Sequence, residues 1–161
     1  FDLHLGYERK GGHRIALHDP SAWAAVMEFA RDFKPDTWIC GGDMMDFGAI
    51  SHHTRNKPGQ IEGLRILADA KELRECVTRP IEKIASKLIY IIGNHEDWAN
   101  DLIDEMPSLD GILDIKTLLN LENWTIIPQG GAYNLWKLTF IHGDQFKGWG
   151  DHVAKAAVLA Y

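Results

Sequence analysis

Residues 88–98 have the sequence "LIYIIGNHEDW" and contain the transition that decides the fold. The first five residues are apolar and rich in Ile, which predicts a buried strand over residues 88–92. Gly93 then allows a turn. The next four residues are an amide, an imidazole and two carboxylates: Asn94, His95, Glu96 and Asp97. Polar side chains directly after a core strand indicate a ligand site at the end of that strand.

Three other apolar segments are followed by polar side chains in the same way. Phe1 precedes "DLH", residues 37–40 ("TWIC") precede "GGDMMD", and residues 135–141 ("LWKLTFI") precede "HGD". Alone, an Asp-x-His pair or a Gly-Gly-Asp turn is more often structural than functional. Four such blocks, each at a predicted strand end, instead predict a metal site.

The side chains in these blocks are suited to divalent cations. In Asp2-x-His4 the two side chains point to one face of an extended chain, so one ion can bind both. Asp43 has two carboxylate oxygens and can bridge two ions, and Asn94 adds an amide oxygen. Mixed oxygen and nitrogen ligation favours Mn, Fe, Zn or Ni over Ca or Mg. The absence of ligating Cys in the blocks argues against a structural zinc site.

Composition predicts one globular domain over residues 1–161. The chain has 161 residues, 45% of them apolar, and a formal net charge of −6. This charge gives no general basic footprint for nucleic acid, and no apolar stretch approaches the ~20 residues needed to span a bilayer. Two cysteines form no disulfide framework. We therefore expect a cytoplasmic protein without a membrane partner; the oligomeric state is not indicated.

Strand signals that alternate with helix signals predict an α/β layered domain. Asp19 and Pro20 are suited to the start of a helix. Further elements are expected as a strand over residues 37–40, a largely helical segment over 61–86 that Pro80 kinks, and strands over 88–92, 124–127 and 135–141. The last two strands are close in sequence, which predicts that they pair antiparallel and that the sheets are mixed.

The four blocks resemble the first four signature blocks of the calcineurin-like metallophosphoesterases. The matching stretches are Asp2-Leu3-His4, Gly42-Asp43-Met44-Met45-Asp46, Gly93-Asn94-His95-Glu96 and His142-Gly143. They extend over residues 2–143 and are highly specific as an ordered set. The resemblance implies a sandwich of two mixed β-sheets flanked by helices.

The resemblance also implies two divalent metal ions, with Mn preferred over Fe, Zn or Ni. Asp2 and His4 would bind the first ion, and Asn94 and His142 would bind the second. Asp43 would bridge the two. The implied reaction is hydrolysis of a phosphomono- or diester by attack of a hydroxide that bridges the ions.

Two further residues would act in catalysis by the same resemblance. His95 would not ligate a metal but would face the phosphate, stabilise its charge or protonate the leaving oxygen. Asp46 would hold His95 by a hydrogen bond.

The chain departs from the family pattern at two places. Many members have Arg directly after the second Asp of the Gly-Asp block, where this chain has Phe47. The family's last block, Gly-His-x-His, does not occur before Tyr161, and the strand that leads into Asp2 is nearly missing. We therefore expect a longer natural protein, with the C-terminal part of the domain and its first strand outside residues 1–161.

A metal-dependent phosphoesterase is thus the expected function. The alternatives are a DNA or RNA nuclease or a protein phosphatase of the same family, or a non-catalytic metal-binding or scaffold domain. The acidic charge disfavours nucleic acid, and the presence of His95 together with Asp46 argues against a non-catalytic domain. In the polar loop over residues 47–59, Arg55 and His53 are candidate substrate contacts, although a solvated loop explains them equally well.

Overall fold

The computed structural model describes residues 2–144 and 146 and has an α/β arrangement, as predicted. Its strands are β1 (Tyr7–Lys10), β2 (His13–Ala16), β3 (Thr37–Cys40), β4 (Lys87–Ile91), β5 (Thr125–Ile127), β6 (Ala132–Leu135) and β7 (Leu138–Ile141). Its helices are α1 (Pro20–Phe33), α2 (Pro58–Ile61), α3 (Ile66–Leu73), α4 (Arg79–Glu82), α5 (Asn94–Glu105) and α6 (Ile115–Leu118). No helix in this part of the chain is both long and apolar enough to cross a membrane.

A three-stranded parallel sheet in the order β3-β4-β5 forms the centre of the core. Its middle strand, β4, is the most deeply buried, with Ile89, Tyr90 and Ile91 fully inaccessible to solvent. This burial on both faces explains why its sequence is continuously apolar and does not alternate. Because β3 and β4 are parallel neighbours, the polar turns that follow them meet at the same edge of the sheet.

The predicted antiparallel pairing of residues 124–127 with 135–141 is wrong. β5 pairs parallel with β4, and the antiparallel hairpin is formed by β6 and β7. The chain turns after β5, where the N–H of Gly131 donates to the carbonyl of Pro128 (2.9 Å), and a second turn begins at Trp136 with φ of 56°. Leu135 therefore ends β6 and does not begin β7.

The expected sandwich of two mixed sheets stays a prediction. Within residues 2–144 the sheets are a two-stranded antiparallel pair (β1-β2), the parallel sheet, and a second antiparallel pair (β6-β7). The β1-β2 hairpin was not predicted. Its turn is Gly11-Gly12, with both φ angles positive at 60° and 83°, which is the backbone that two-residue hairpin turns require.

The helices agree better with prediction. Asp19 caps α1, because its side chain accepts hydrogen bonds from the N–H groups of Ser21 (2.8 Å) and Ala22 (3.2 Å). In the predicted helical segment, α3 continues into a π-helical turn, Arg74–Thr78, directly before α4. Pro80 lies in the first turn of α4, where its missing N–H costs least.

Candidate metal centre

Four chain segments converge on one edge of the parallel sheet. The turn after β3 and the turn before α5 are neighbours because their strands pair. Residues 3–5 run beside the turn after β3: His4 donates its N–H to the carbonyl of Asp43 (2.8 Å), and Leu5 forms a parallel bridge with Met45. His142 follows β7 and reaches the same place, where its Nδ1 donates to the carbonyl of Gly41 (2.8 Å).

Asp43 lies at the centre of this arrangement and is 4% exposed. Its Oδ1 accepts the backbone N–H of His95 (2.9 Å). Its Oδ2 lies 3.8 Å from Nε2 of His4 and 3.5 Å from Nε2 of His142. One carboxylate oxygen is therefore near an imidazole nitrogen on each of two chain segments, which is the arrangement expected of a bridging ligand.

The backbone at these positions is unusual for residues with side chains. His4 has φ of 49° and Asp43 has φ of 48°, in the left-handed region that non-glycine residues seldom adopt. Such conformations cost of order 1–3 kcal/mol each and persist where surrounding contacts enforce them, often at functional sites.

The second half of the candidate centre contains Asn94 and His142. The Oδ1 of Asn94 lies 2.9 Å from Nε2 of His142. Because Nδ1 of His142 donates to a carbonyl, Nε2 is the nitrogen that faces Asn94 and Asp43. The hydrogen bond to Asp43, the largest cause, raises the pKa of His142 to about 9 despite its burial. A group of acceptors that retains a proton so strongly also favours a cation.

Asp43 is suited to bind a cation at neutral pH. Burial alone would raise the pKa of Asp43, but hydrogen bonds from His142 and the His95 backbone hold it below its usual value. Together the carboxylate, the imidazoles and the Asn94 amide oxygen form the mixed oxygen and nitrogen donor set that suits Mn, Fe or Zn. These residues fit the divalent ions predicted from the sequence.

For Asp2 the support is electrostatic. This residue is exposed, and its negative charge contributes to raising the pKa of both His4 and His142, so it lies within electrostatic range of both. Its assignment as a ligand of the first ion stays a prediction.

His95 lies next to His4. Its ring packs edge-on to that of His4, with 4.5 Å between the centroids. Nδ1 donates to the backbone carbonyl of Asp46 (2.7 Å), which leaves Nε2 available for a proton or a cation. His4, Asp43 and His95 offer potential ligand atoms within 4.8 Å of one another, so proximity alone does not distinguish a catalytic His95 from a ligating one.

The predicted contact between Asp46 and His95 is present, but the backbone provides it. The carboxylate oxygen Oδ1 of Asp46 is 3.6 Å from Nδ1 of His95 and also 3.6 Å from Nδ1 of His4. This oxygen is equally far from the two Nδ1 atoms and beyond normal hydrogen-bond length from both. The Asp46 side chain thus acts on His4 as well as on His95: its polar interaction with the His4 ring is the largest cause that raises the pKa of His4.

Two glycines allow the turns to approach each other. A Cβ on Gly42 would lie 2.5 Å from Nδ1 of His142, and one on Gly93 would overlap the carboxylate of Asp43. Gly42 also has φ of 102°.

Phe47, the residue at which the chain departs from the family pattern, has its side chain in the core at 1% exposure.

Glu96 is a functional candidate that sequence reasoning missed. The sequence assigned it no role beyond its membership of the polar block after the strand, and in the structure it occupies the first turn of α5. In the structure it is fully buried and bonds across to the turn after β3. The only sequence signal for this role is its place three residues after Gly93, typical of a capping box.

The predicted substrate residues lie on an exposed rim. His52 and His53 are exposed, and their ring centroids lie 5.4 Å and 5.9 Å from that of Trp98. Trp98 in turn packs against His95, with 4.0 Å between centroids. This chain of rings connects His53 to the candidate centre. Arg55 instead forms an ion pair with Glu105 at the end of α5.

The chain belongs to the calcineurin-like phosphoesterase family, because the model of that family matches residues 2–156. The match includes every block described above and confirms the resemblance found in the sequence. Comparison with curated proteins and comparison with solved structures each gave no match.

Proposed function

We propose that the protein is a dinuclear metal-dependent phosphoesterase. Family membership supports a metal-dependent hydrolase of phosphoesters. The observation that carries the dinuclear assignment is that Asp43 Oδ2 lies 3.8 Å from Nε2 of His4 and 3.5 Å from Nε2 of His142. In this proposal Asp2 and His4 hold one ion, Asn94 and His142 hold the other, and Asp43 holds both.

When bound, two such ions supply a nucleophile at neutral pH and neutralise charge on the phosphoryl oxygens. The remaining chemistry is assigned to His95. Its Nδ1 is fixed on the carbonyl of Asp46, so its Nε2 can donate a hydrogen bond to the phosphoryl group or a proton to the leaving oxygen. At 19% exposure its side chain remains accessible to substrate.

The proposed substrate is a small phosphomono- or diester, and Mn is the preferred metal. Support comes from the net charge of −6, which disfavours long polyanions. The rim beside His95 includes the rings of His53 and Trp98, and the nearby cation Arg55 is already paired with Glu105. His53 is therefore the stronger of the two candidate substrate contacts.

An activity panel with added Mn²⁺ tests this proposal. The substrates are an aryl phosphate, an aryl phosphodiester, a phosphopeptide and single-stranded DNA, each assayed with and without a chelator. We expect chelator-sensitive hydrolysis of an aryl ester. Preferred hydrolysis of the phosphopeptide would indicate a protein phosphatase, and salt-sensitive cleavage of DNA would indicate a nuclease. Metal binding without hydrolysis of any substrate would contradict an enzymatic function.

A further inference from the structure

We propose that Glu96 is a positioning residue that holds the backbone of Asp43 in its metal-binding conformation. The proposal rests on the proposed function, because it assigns Glu96 to the same dinuclear centre. Glu96 would touch neither metal nor substrate and would act only through Asp43 and the turns on either side of it.

The side chain of Glu96 is fully buried and accepts hydrogen bonds from five donors. Oε2 accepts the N–H groups of Asp43 (2.9 Å) and Gly93 (3.1 Å). Oε1 accepts the N–H of Met44 (2.9 Å), the hydroxyl of Tyr90 (2.8 Å) and, at 3.4 Å, the N–H of Met45.

These bonds are reciprocal with those of Asp43. The carboxylate of Glu96, in the first turn of α5, accepts backbone N–H groups of the turn after β3. The carboxylate of Asp43, in the turn after β3, accepts the backbone N–H of His95 in the first turn of α5. Each segment therefore contributes one carboxylate that binds the backbone of the other, and Oδ2 of Asp43 remains within 4 Å of His4 and His142.

The contacts of Glu96 exceed what a helix cap requires. A cap at this position needs only the bond to the N–H of Gly93. The N–H groups of Asp43 and Met44 lie in a distant part of the sequence and flank a residue in the left-handed region, with φ of 48°. Charge-assisted hydrogen bonds on both sides of that residue stabilise a conformation that is otherwise unfavourable.

The test is the substitution Glu96→Gln, which keeps the size of the side chain but replaces one acceptor oxygen by a donor. At least two of the buried donors then lose their partner. Loss of a residue that orients a metal ligand typically reduces metal affinity by about 10–100-fold. We expect that loss in a calorimetric Mn²⁺ titration, with native circular dichroism, and recovery of hydrolysis at high Mn²⁺. The control is Asp104→Asn, an exposed site on α5 with the same change in charge, whose Mn²⁺ affinity should be unchanged.

A purely structural role would produce a different result. Glu96→Gln would then melt at a lower temperature but bind Mn²⁺ as tightly as the wild type, and the proposal would be overturned. If Glu96→Gln does not fold, Tyr90→Phe removes one donor to Oε1 and keeps the core packed. It should lower Mn²⁺ affinity by a smaller factor, and unchanged affinity would equally overturn the proposal. A wild type that binds no Mn²⁺ would contradict the proposed function instead.

Discussion

The two turns of the candidate metal centre and the rim beside it are built in opposite ways. Asp43 and Glu96 are buried, and each carboxylate accepts a backbone N–H from the segment that carries the other, so several hydrogen bonds fix the position of the Asp43 side chain. His52 and His53 are exposed, and their rings pack against each other and against Trp98. The region that would contact the phosphate is rigidly held, whereas the region that would contact the rest of the substrate has few constraints. Substitutions should therefore have large effects in the first region and small effects in the second.

The largest effect is expected for Asp43→Asn. The amide keeps the shape of the side chain but removes the charge that both ions would share in the proposed centre. Hydrolysis should fall below detection, and Mn²⁺ content measured by elemental analysis should fall at both sites. Retention of full metal content would show that Asp43 is not the bridging ligand.

A smaller loss, confined to turnover, is expected for His95→Gln. General acid catalysis and charge stabilisation typically contribute about 10²–10⁴-fold, so kcat should fall within that range while Mn²⁺ content is unchanged. Asp46→Asn should cost less, because the hydrogen bond to His95 comes from the backbone of Asp46. If His95→Gln instead loses a metal ion, His95 is a ligand, as its proximity to His4 and Asp43 allows.

The pH dependence should distinguish metal binding from folding. The pKa of His142 is raised from 6.5 to about 9, and the imidazole must lose its proton to bind a metal. Mn²⁺ affinity should therefore rise by up to about tenfold per pH unit up to pH 9. The stability of the metal-free protein should change with pH in the opposite direction. The contribution of His142 to the free energy of unfolding is complete below pH 6.5 and is lost as the pH rises through 9.

Calorimetric titrations and thermal melts from pH 6 to 10 measure both trends. His142→Asn should flatten the two curves together, because the titrating group is removed. If metal affinity is independent of pH in the wild type, His142 does not exchange a proton for a metal ion.

The smallest effects are expected on the rim. His53→Ala should raise KM by about 2- to 10-fold, the range of one ordinary hydrogen bond, with kcat and metal content unchanged. Arg55→Ala, which breaks only the exposed ion pair with Glu105, should have less effect on a monoester. A fall in kcat for either variant would contradict the separation between the two regions.

Local signals in the sequence predict local features of the fold. The capping Asp19 marks the start of α1, and the bounds of β3 agree with the predicted strand over residues 37–40. The edge where the polar turns meet follows from the rule for parallel strands. By contrast, the pairing of β5 with β4 depends on tertiary packing, and hydrophobic periodicity does not indicate which strands pair. The β1-β2 hairpin has mostly polar strands, and only its Gly-Gly turn indicates it.

Within the candidate site, too, local features can be predicted from the sequence and contacts between distant segments cannot. The identities of Asp43, Asn94 and His142 follow from their blocks, because those residue types have metal-binding chemistry. The proposed role of Glu96 does not, since Asp43 and Met44, whose N–H groups it accepts, lie about fifty residues away in the sequence and only the folded chain brings them together. Likewise, no pattern indicates that Asp46 would reach His95 through its carbonyl.

Diffraction from crystals grown with Mn²⁺, with anomalous differences recorded, tests the central claim most directly. The claim is that one oxygen of Asp43 is shared by two ions. It predicts two anomalous peaks about 3.5–4 Å apart, with Oδ2 of Asp43 between them, His4 on one side and Asn94 with His142 on the other. A single peak, or two peaks of which only one lies within coordination distance of Asp43, would contradict it.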